Sequence, residues 1–115
     1  VTRADMVAAG WSPSVRLFEA GSCGVPIVSD RWAGLETLLR PGSEILLAET
    51  AEDVLAALDL PDERARAVGR AGRARIVDEH SARHRAAELA RHLRDASARQ
   101  VPGRETAVAG SQPGA

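Results

Sequence analysis

The chain has 115 residues, 44% of them hydrophobic, enough for one globular domain and too few for two ordinary ones. Fifteen basic residues, all Arg, stand against sixteen Asp and Glu, and this net charge of −1 argues against a general nucleic-acid binder. The apolar runs are too short for a transmembrane helix, no secretory signal is visible, and the single Cys23 excludes a disulfide framework, so a cytoplasmic protein is expected.

Val1 opens the chain without an initiating Met and leads almost at once into turn and motif residues, so the sequence reads as the C-terminal part of something longer. Ser12 and Pro13 predict a helix start, with Ser as N-cap and Pro at the first helical position. That helix runs to about Ser22, where Gly24 and Pro26 stop it. Val25 to Asp30 reads as a short, fully buried strand of the parallel type. Gly34 to Leu39 can form two helical turns, closed by the turn residues Pro41, Gly42 and Ser43. Glu44 to Ala48 reads as a second buried strand. Thr50 and Asp53 have the spacing of a capping box, opening a helix that carries Val54, Leu55 and Leu58. Pro61 begins another helix, whose Ala65, Val68, Gly72 and Ile76 follow the helical period. Ser81 caps a last helix with Ala86, Leu89, Ala90 and Leu93 inward. From Gln100 the apolar period vanishes, which predicts a disordered tail over residues 100–115.

Charge divides along the same lines. Residues 1–60 carry four Arg and nine acids, whereas residues 61–115 carry eleven Arg and seven acids. The first 60 residues thus form a strand–helix part and residues 61–99 a helical close. The expected fold class is α/β: a partial Rossmann-like arrangement of two or three parallel strands plus C-terminal helices.

Chemistry concentrates between Trp11 and Glu36. Backbone N–H groups of Ser14, Val15 and Arg16 at a helix start favour an anion such as a diphosphate, to which the Ser14 hydroxyl and Arg16 guanidinium add donors. Val15, Phe18, Glu19 and Ser22 share a stripe at helical spacing, which places the Glu19 carboxylate beside core-facing residues. A carboxylate there could accept from both hydroxyls of a ribose, or form an i, i+3 pair with Arg16, or sit at an exposed helix edge. The two elements lie about one and a half turns apart, roughly the separation of phosphate and ribose in a nucleotide. Asp30, at the carboxyl end of a strand, has the favoured position for a ligand contact.

The segments SPSVRLFEAGSCGVPIVSD, GLE and PGSEILLA together resemble the donor-binding half of GT-B glycosyltransferases, in the group-1-like branch that includes the spore-maturation CgeB-like proteins. DEHSARHRAAEL resembles the helical close of the same region, and the resemblance extends over about Val1 to Leu93. It implies that Glu19 holds the ribose of a nucleotide-sugar donor and that Ser14 to Arg16 face its diphosphate. Gly34 and Glu36 would lie near the nucleotide or an interdomain cleft. Many retaining members carry a second Glu eight positions earlier; Trp11 stands there, so stereochemistry is not implied and no catalytic residue is assigned. The acceptor domain would be a separate, N-terminal one.

No clustered carboxylates of the kind that hold a diphosphate-bound Mg²⁺ are present, so neither metal nor cofactor is expected and the nucleotide-sugar is substrate. His80 and His84 have metal-pair spacing, but Ser81 breaks the helix between them and no third ligand follows. Cys23 reads as a buried small residue, Trp11 and Trp32 as packing at the helix margin, and the Arg run from Arg64 to Arg75 as a solvated helix face. Two other classes compete with the transferase: a non-enzymatic α/β or helical interaction module, and a nucleotide-binding regulatory domain.

Overall fold

The computed structural model describes residues 3–11 and 13–99. Its elements in chain order are α1 (Ala4–Ala9), α2 (Val15–Ser22), β1 (Val28–Ser29), α3 (Leu35–Leu38), β2 (Leu46–Leu47), α4 (Ala51–Leu58), α5 (Asp62–Glu79) and α6 (Ala82–Arg99). The architecture is mixed α/β and mostly helical, around a two-stranded parallel sheet in which Val28 pairs with Leu46 and Ser29 with Leu47. Ser12, expected as an N-cap, and the expected tail from Gln100 onward lie outside the described residues.

Local chemistry explains the element boundaries. Helix α2 starts two residues later than the Ser-Pro signal suggested: Ser14 is extended, and its Oγ accepts from the Arg16 N–H at 3.3 Å. Helix α1, absent from the sequence reading, is a single short stretch ended by Gly10 at φ 64°. The strands are shorter than expected because the ladder has few rungs. Leu46 N–H donates to Ile27 O and Ala48 N–H to Ser29 O, while Pro26 has no N–H to extend it. Nor is the segment expected as a fully buried strand so placed, since Val25, ahead of β1, and Val28, within it, are exposed. Helix α3 is one turn rather than two, entered through Gly34 at φ 100°. The capping box of α4 is present as predicted, with Thr50 Oγ1 accepting from Asp53 N–H and the Asp53 carboxylate accepting from Thr50 N–H.

Leu17, Trp32, Leu35, Leu39, Ile45 and Ile76 form the core, with Phe18, Ile27, Leu38 and Leu47 packed around them. Burying each such side chain contributes about 1.5–3 kcal/mol. Helix α5 reaches this core through small residues. A methyl group at Gly69 would collide with the Gly24 carbonyl, and one at Gly72 would lie 2.6 Å from the Glu44 carbonyl oxygen. Only hydrogen at these two positions lets α5 lie directly on the α2–β1 turn and the start of β2.

Several side chains depart from the sequence expectation. Cys23 is exposed, because the buried place near the end of α2 is taken by Gly21. Trp32 is buried, but Trp11 is exposed. The Arg-rich face of α5 is more than solvated surface: Arg64 Nη2 donates to Gly42 O at 3.2 Å and Arg73 Nε to Ser22 O at 3.1 Å, tying α5 to two turns. Val54, Leu55 and Leu58 of α4 are exposed. Helix α6 buries none of its residues; Leu89 and Leu93, expected inward, are each 59% exposed. The Ser81 hydroxyl meets His84 Nδ1 at 2.7 Å.

Candidate functional site

In a parallel sheet the strands' carboxyl ends and the N-termini of the helices that follow them fall on one edge, so backbone N–H groups converge there. Here that edge is an open cleft of ≈ 740 Å³. Ser29 and Asp30 enter it from β1, Ala48 and Glu49 from the end of β2, Ser14 and Arg16 from the start of α2, and Thr50 and Ala51 from the start of α4. Arg3 and Met6 close one side.

The two helix starts differ in electrostatic state. At α2 the Ser14 hydroxyl satisfies one N–H, and the Arg16 side chain lies exposed at the cleft without an ion pair among the described residues. At α4 the Asp53 carboxylate accepts from Glu49 N–H at 2.9 Å and from Thr50 N–H at 3.0 Å. These bonds, first from Glu49 and then from Thr50, hold the Asp53 carboxyl below the usual aspartate range. Glu49 pairs with Arg31 at 3.4 Å across a largely exposed surface, an arrangement that contributes little to stability. The half-buried Asp30 is approached by the Ser29 hydroxyl, which also donates to the Asp30 carbonyl at 2.9 Å.

Of the residues singled out from sequence, Ser14, Arg16 and Asp30 come together in this cleft. Val15 and Glu19 lie on the exposed face of α2 and do not line it, for the buried face of that helix is Leu17 and Gly21. Glu19 itself is exposed, and of its helical stripe only Phe18 packs against the core. Its carboxylate also makes no pair with Arg16 among the described residues. Gly34 lies in a second groove, and Glu36 is exposed in the first turn of α3, outside both recesses. Sequence reasoning missed Arg3 and Met6 along with α1. Thr50 carried a usable signal, since a capping box directly after a parallel strand must open on the ligand edge.

Residues 1–91 match the family described as glycosyl transferase-like. The chain belongs to that family. The match runs from α1 into the middle of α6 and so takes in the whole sheet and the cleft. No curated protein and no solved structure matches the chain. For a member of the glycosyl transferase-like family, sugar transfer is the general activity. Among the described residues no group of three His, Cys, Asp or Glu could hold a metal ion, and no helix is long and apolar enough to cross a membrane. His80 and His84 are engaged elsewhere, with Leu38 O and Ser81 Oγ.

Proposed function

We propose that this chain forms the nucleotide-sugar donor site of a GT-B-type, CgeB-like glycosyltransferase, with a Rossmann-like half-sheet as its platform and an N-terminal domain presenting the acceptor. The observation that carries this reading is the cleft at the carboxyl edge of the parallel sheet, which the start of α2, Arg16 and Asp30 line together. A helix start with a cation is suited to a diphosphate, and holding the diphosphate as it departs is the main electrostatic demand of glycosyl transfer. Glu19 follows Arg16 by three residues along α2, outside the lining of the cleft, and is the group proposed to accept the ribose hydroxyls of a nucleotide that extends past Arg16. Asp30 is proposed as a further donor contact, and Gly34 and Glu36 are assigned to the neighbourhood of the nucleotide or of the interdomain cleft. No metal is needed for this binding mode, and the sugar donor is substrate rather than cofactor.

The reading is tested by isothermal titration with UDP and GDP, the matching nucleosides, and a 2′,3′-dideoxy diphosphate. Diphosphates should bind more tightly than nucleosides, and Arg16→Ala should remove most of that difference. Glu19→Gln should weaken the ordinary nucleotide about tenfold and the dideoxy analogue hardly at all, because one charge-assisted hydrogen-bond pair is weakened. Nucleosides and diphosphates binding equally, or not at all, would sink the proposal.

A further inference from the structure

Helix α6 buries none of its residues, so polar contacts near its start carry its attachment to the fold. Most of its side-chain bonds are internal: Ser81 Oγ with His84 Nδ1 at the start, Arg85 with Glu88, and Ser97 with the Leu93 carbonyl. Arg85 also reaches back to α5. Its Nη2 lies 2.6 Å from Nδ1 of His80, the residue that ends that helix. His80 ties the same corner to α3, with Nε2 at 2.8 Å from Leu38 O, and its ring meets Phe18 of α2 edge-on with centroids 6.3 Å apart. His80, Arg85 and Glu88 line a groove of ≈ 500 Å³ together with Trp11, Phe18 and Leu38, so the first turns of α6 help to close it.

The partners of His80 dictate its charge. A carbonyl oxygen only accepts, so Nε2 carries a hydrogen and donates to Leu38 O; a guanidinium only donates, so Nδ1 carries none and accepts from Arg85. His80 is thus the neutral Nε2–H tautomer, and a further proton can enter only at Nδ1, where Arg85 stands. Protonation there sets N–H against N–H and positive charge against positive charge. Imidazole is the side chain whose charge changes between about pH 5 and 8. The surroundings offer the new charge no idle partner among the described residues. From α2 His80 meets the Phe18 ring and from α3 a backbone carbonyl. On its own helix Glu79 is paired with Arg75 at 3.1 Å, and on α6 Glu88 is paired with Arg85 at 2.7 Å. Of the other two imidazoles, His84 is bonded to Ser81 and His92 lies 4.0 Å from Glu88. The Arg85 bond, with the Arg85 charge behind it, holds the Glu88 carboxyl below the usual range, so Glu88 stays ionised while His80 titrates. Arg85 can therefore leave His80 without losing its ion pair.

We infer that His80 and Arg85 form a proton-operated latch: one proton taken up at His80 Nδ1 breaks the tie, frees α6 from the body of the fold and opens the groove beside Trp11. Opening takes up a proton, so acid favours it and base reverses it; the tie is complete above the titration of His80 and lost as pH falls through it. The latch is independent of the donor-site reading, since neither residue lines the nucleotide cleft.

The test places spin labels on the 115-residue chain at Cys23, its single cysteine and an exposed one, and at Ala98→Cys on the exposed far end of α6. Electron–electron resonance should give one narrow label-to-label distance at about pH 8 and a clearly broader distribution at about pH 5.5, with helical ellipticity unchanged. His80→Gln keeps an N–H for Leu38 O and an acceptor for Arg85 but has no titrating proton, and it should stay narrow at both pH values. Arg85→Gln should be broad at both, while His84→Gln and His92→Gln should respond as the parent does. Should His80→Gln fail to fold, ¹⁵N NMR of the parent's imidazoles decides: His80 is expected as the Nε2–H tautomer at the higher pH and as imidazolium in step with the broadening. A parent whose distribution is the same at both pH values, narrow or broad, overturns the inference; a His80–Glu88 pair taking over from Arg85 would give that result. A pH response that survives His80→Gln, or that His84→Gln or His92→Gln removes, overturns it as well. So does a fall in ellipticity, which means melting instead of release, or a His80 that is charged at the higher pH or still neutral once α6 has opened.

Discussion

Glycine at position 69 is where a single hydrogen decides how close two segments come. The Gly24 carbonyl occupies the space that a Cβ would need, and backbone cannot rotate away as a side chain would. Gly69→Ala should therefore destabilise the fold by about 1–3 kcal/mol, despite the higher helix propensity of Ala. Ile45, fully buried, should cost about 2–5 kcal/mol when cut to Ala, whereas the exposed Leu58→Ala should stay within about 0.5 kcal/mol. Urea unfolding of the three variants ranks them, and a Gly69→Ala as stable as the parent would show that α5 can slide off the turn. The same scale shows what could be read in advance. The period of α5 marked Val68, Gly72 and Ile76 correctly, because a long helix averages over many residues. The period of α2 misplaced Glu19, because eight residues around Leu17 and Gly21 permit more than one face to look apolar, and glycine contributes to burial without contributing to hydrophobicity.

Among the elements, α4 and α6 behave differently from α5. The box that starts α4 depends on an ionised Asp53, which binds its proton less readily in the native state than in the unfolded chain. Its contribution is complete above the ordinary aspartate value and disappears as pH falls through the lowered one. Acid titration by circular dichroism should show helix loss in that window, and Asp53→Asn should remove this component of the titration. Helix α6 buries none of its residues, while α5 buries Val68, Gly69, Gly72 and Ile76. Amides in the second half of α6 should exchange with deuterium far faster than those around Val68 to Ile76. Equal protection in both helices would mean that α6 is covered in solution. Elements were legible in the sequence where caps and breakers marked them, as Thr50 and Pro61 did. Strand lengths and the outward face of α6 were not, because both depend on what lies alongside, which a linear period cannot report.

At the scale of the molecule, exposed apolar side chains collect on two helices of opposite charge. Val54, Leu55 and Leu58 stand on an α4 that has Glu52 and Asp53 and no basic residue, and Leu89 and Leu93 on an α6 rich in Arg. Such surfaces associate. Sedimentation velocity should show mass rising with protein concentration, and Leu55→Glu with Leu93→Glu should reduce the effect. A strictly monomeric parent chain at all concentrations would contradict this. The parallel sheet and its carboxyl edge followed from the alternation of strand and helix signals in residues 1–60, so the position of the cleft was readable; the Trp11 groove was not, since His80, Arg85 and Glu88 are brought to it by the turn between α5 and α6. The unequal helix starts, finally, give the cleft a direction. Its α4 end already carries an anion of its own in Asp53, seated on the N–H groups of Glu49 and Thr50, while its α2 end offers Arg16. A molecule with one anionic and one neutral end would meet repulsion with its anionic end at α4 and attraction with that end at α2. On the donor-site reading, the unequal helix starts would sort the diphosphate end of a donor from its neutral end at a distance, before contact is made.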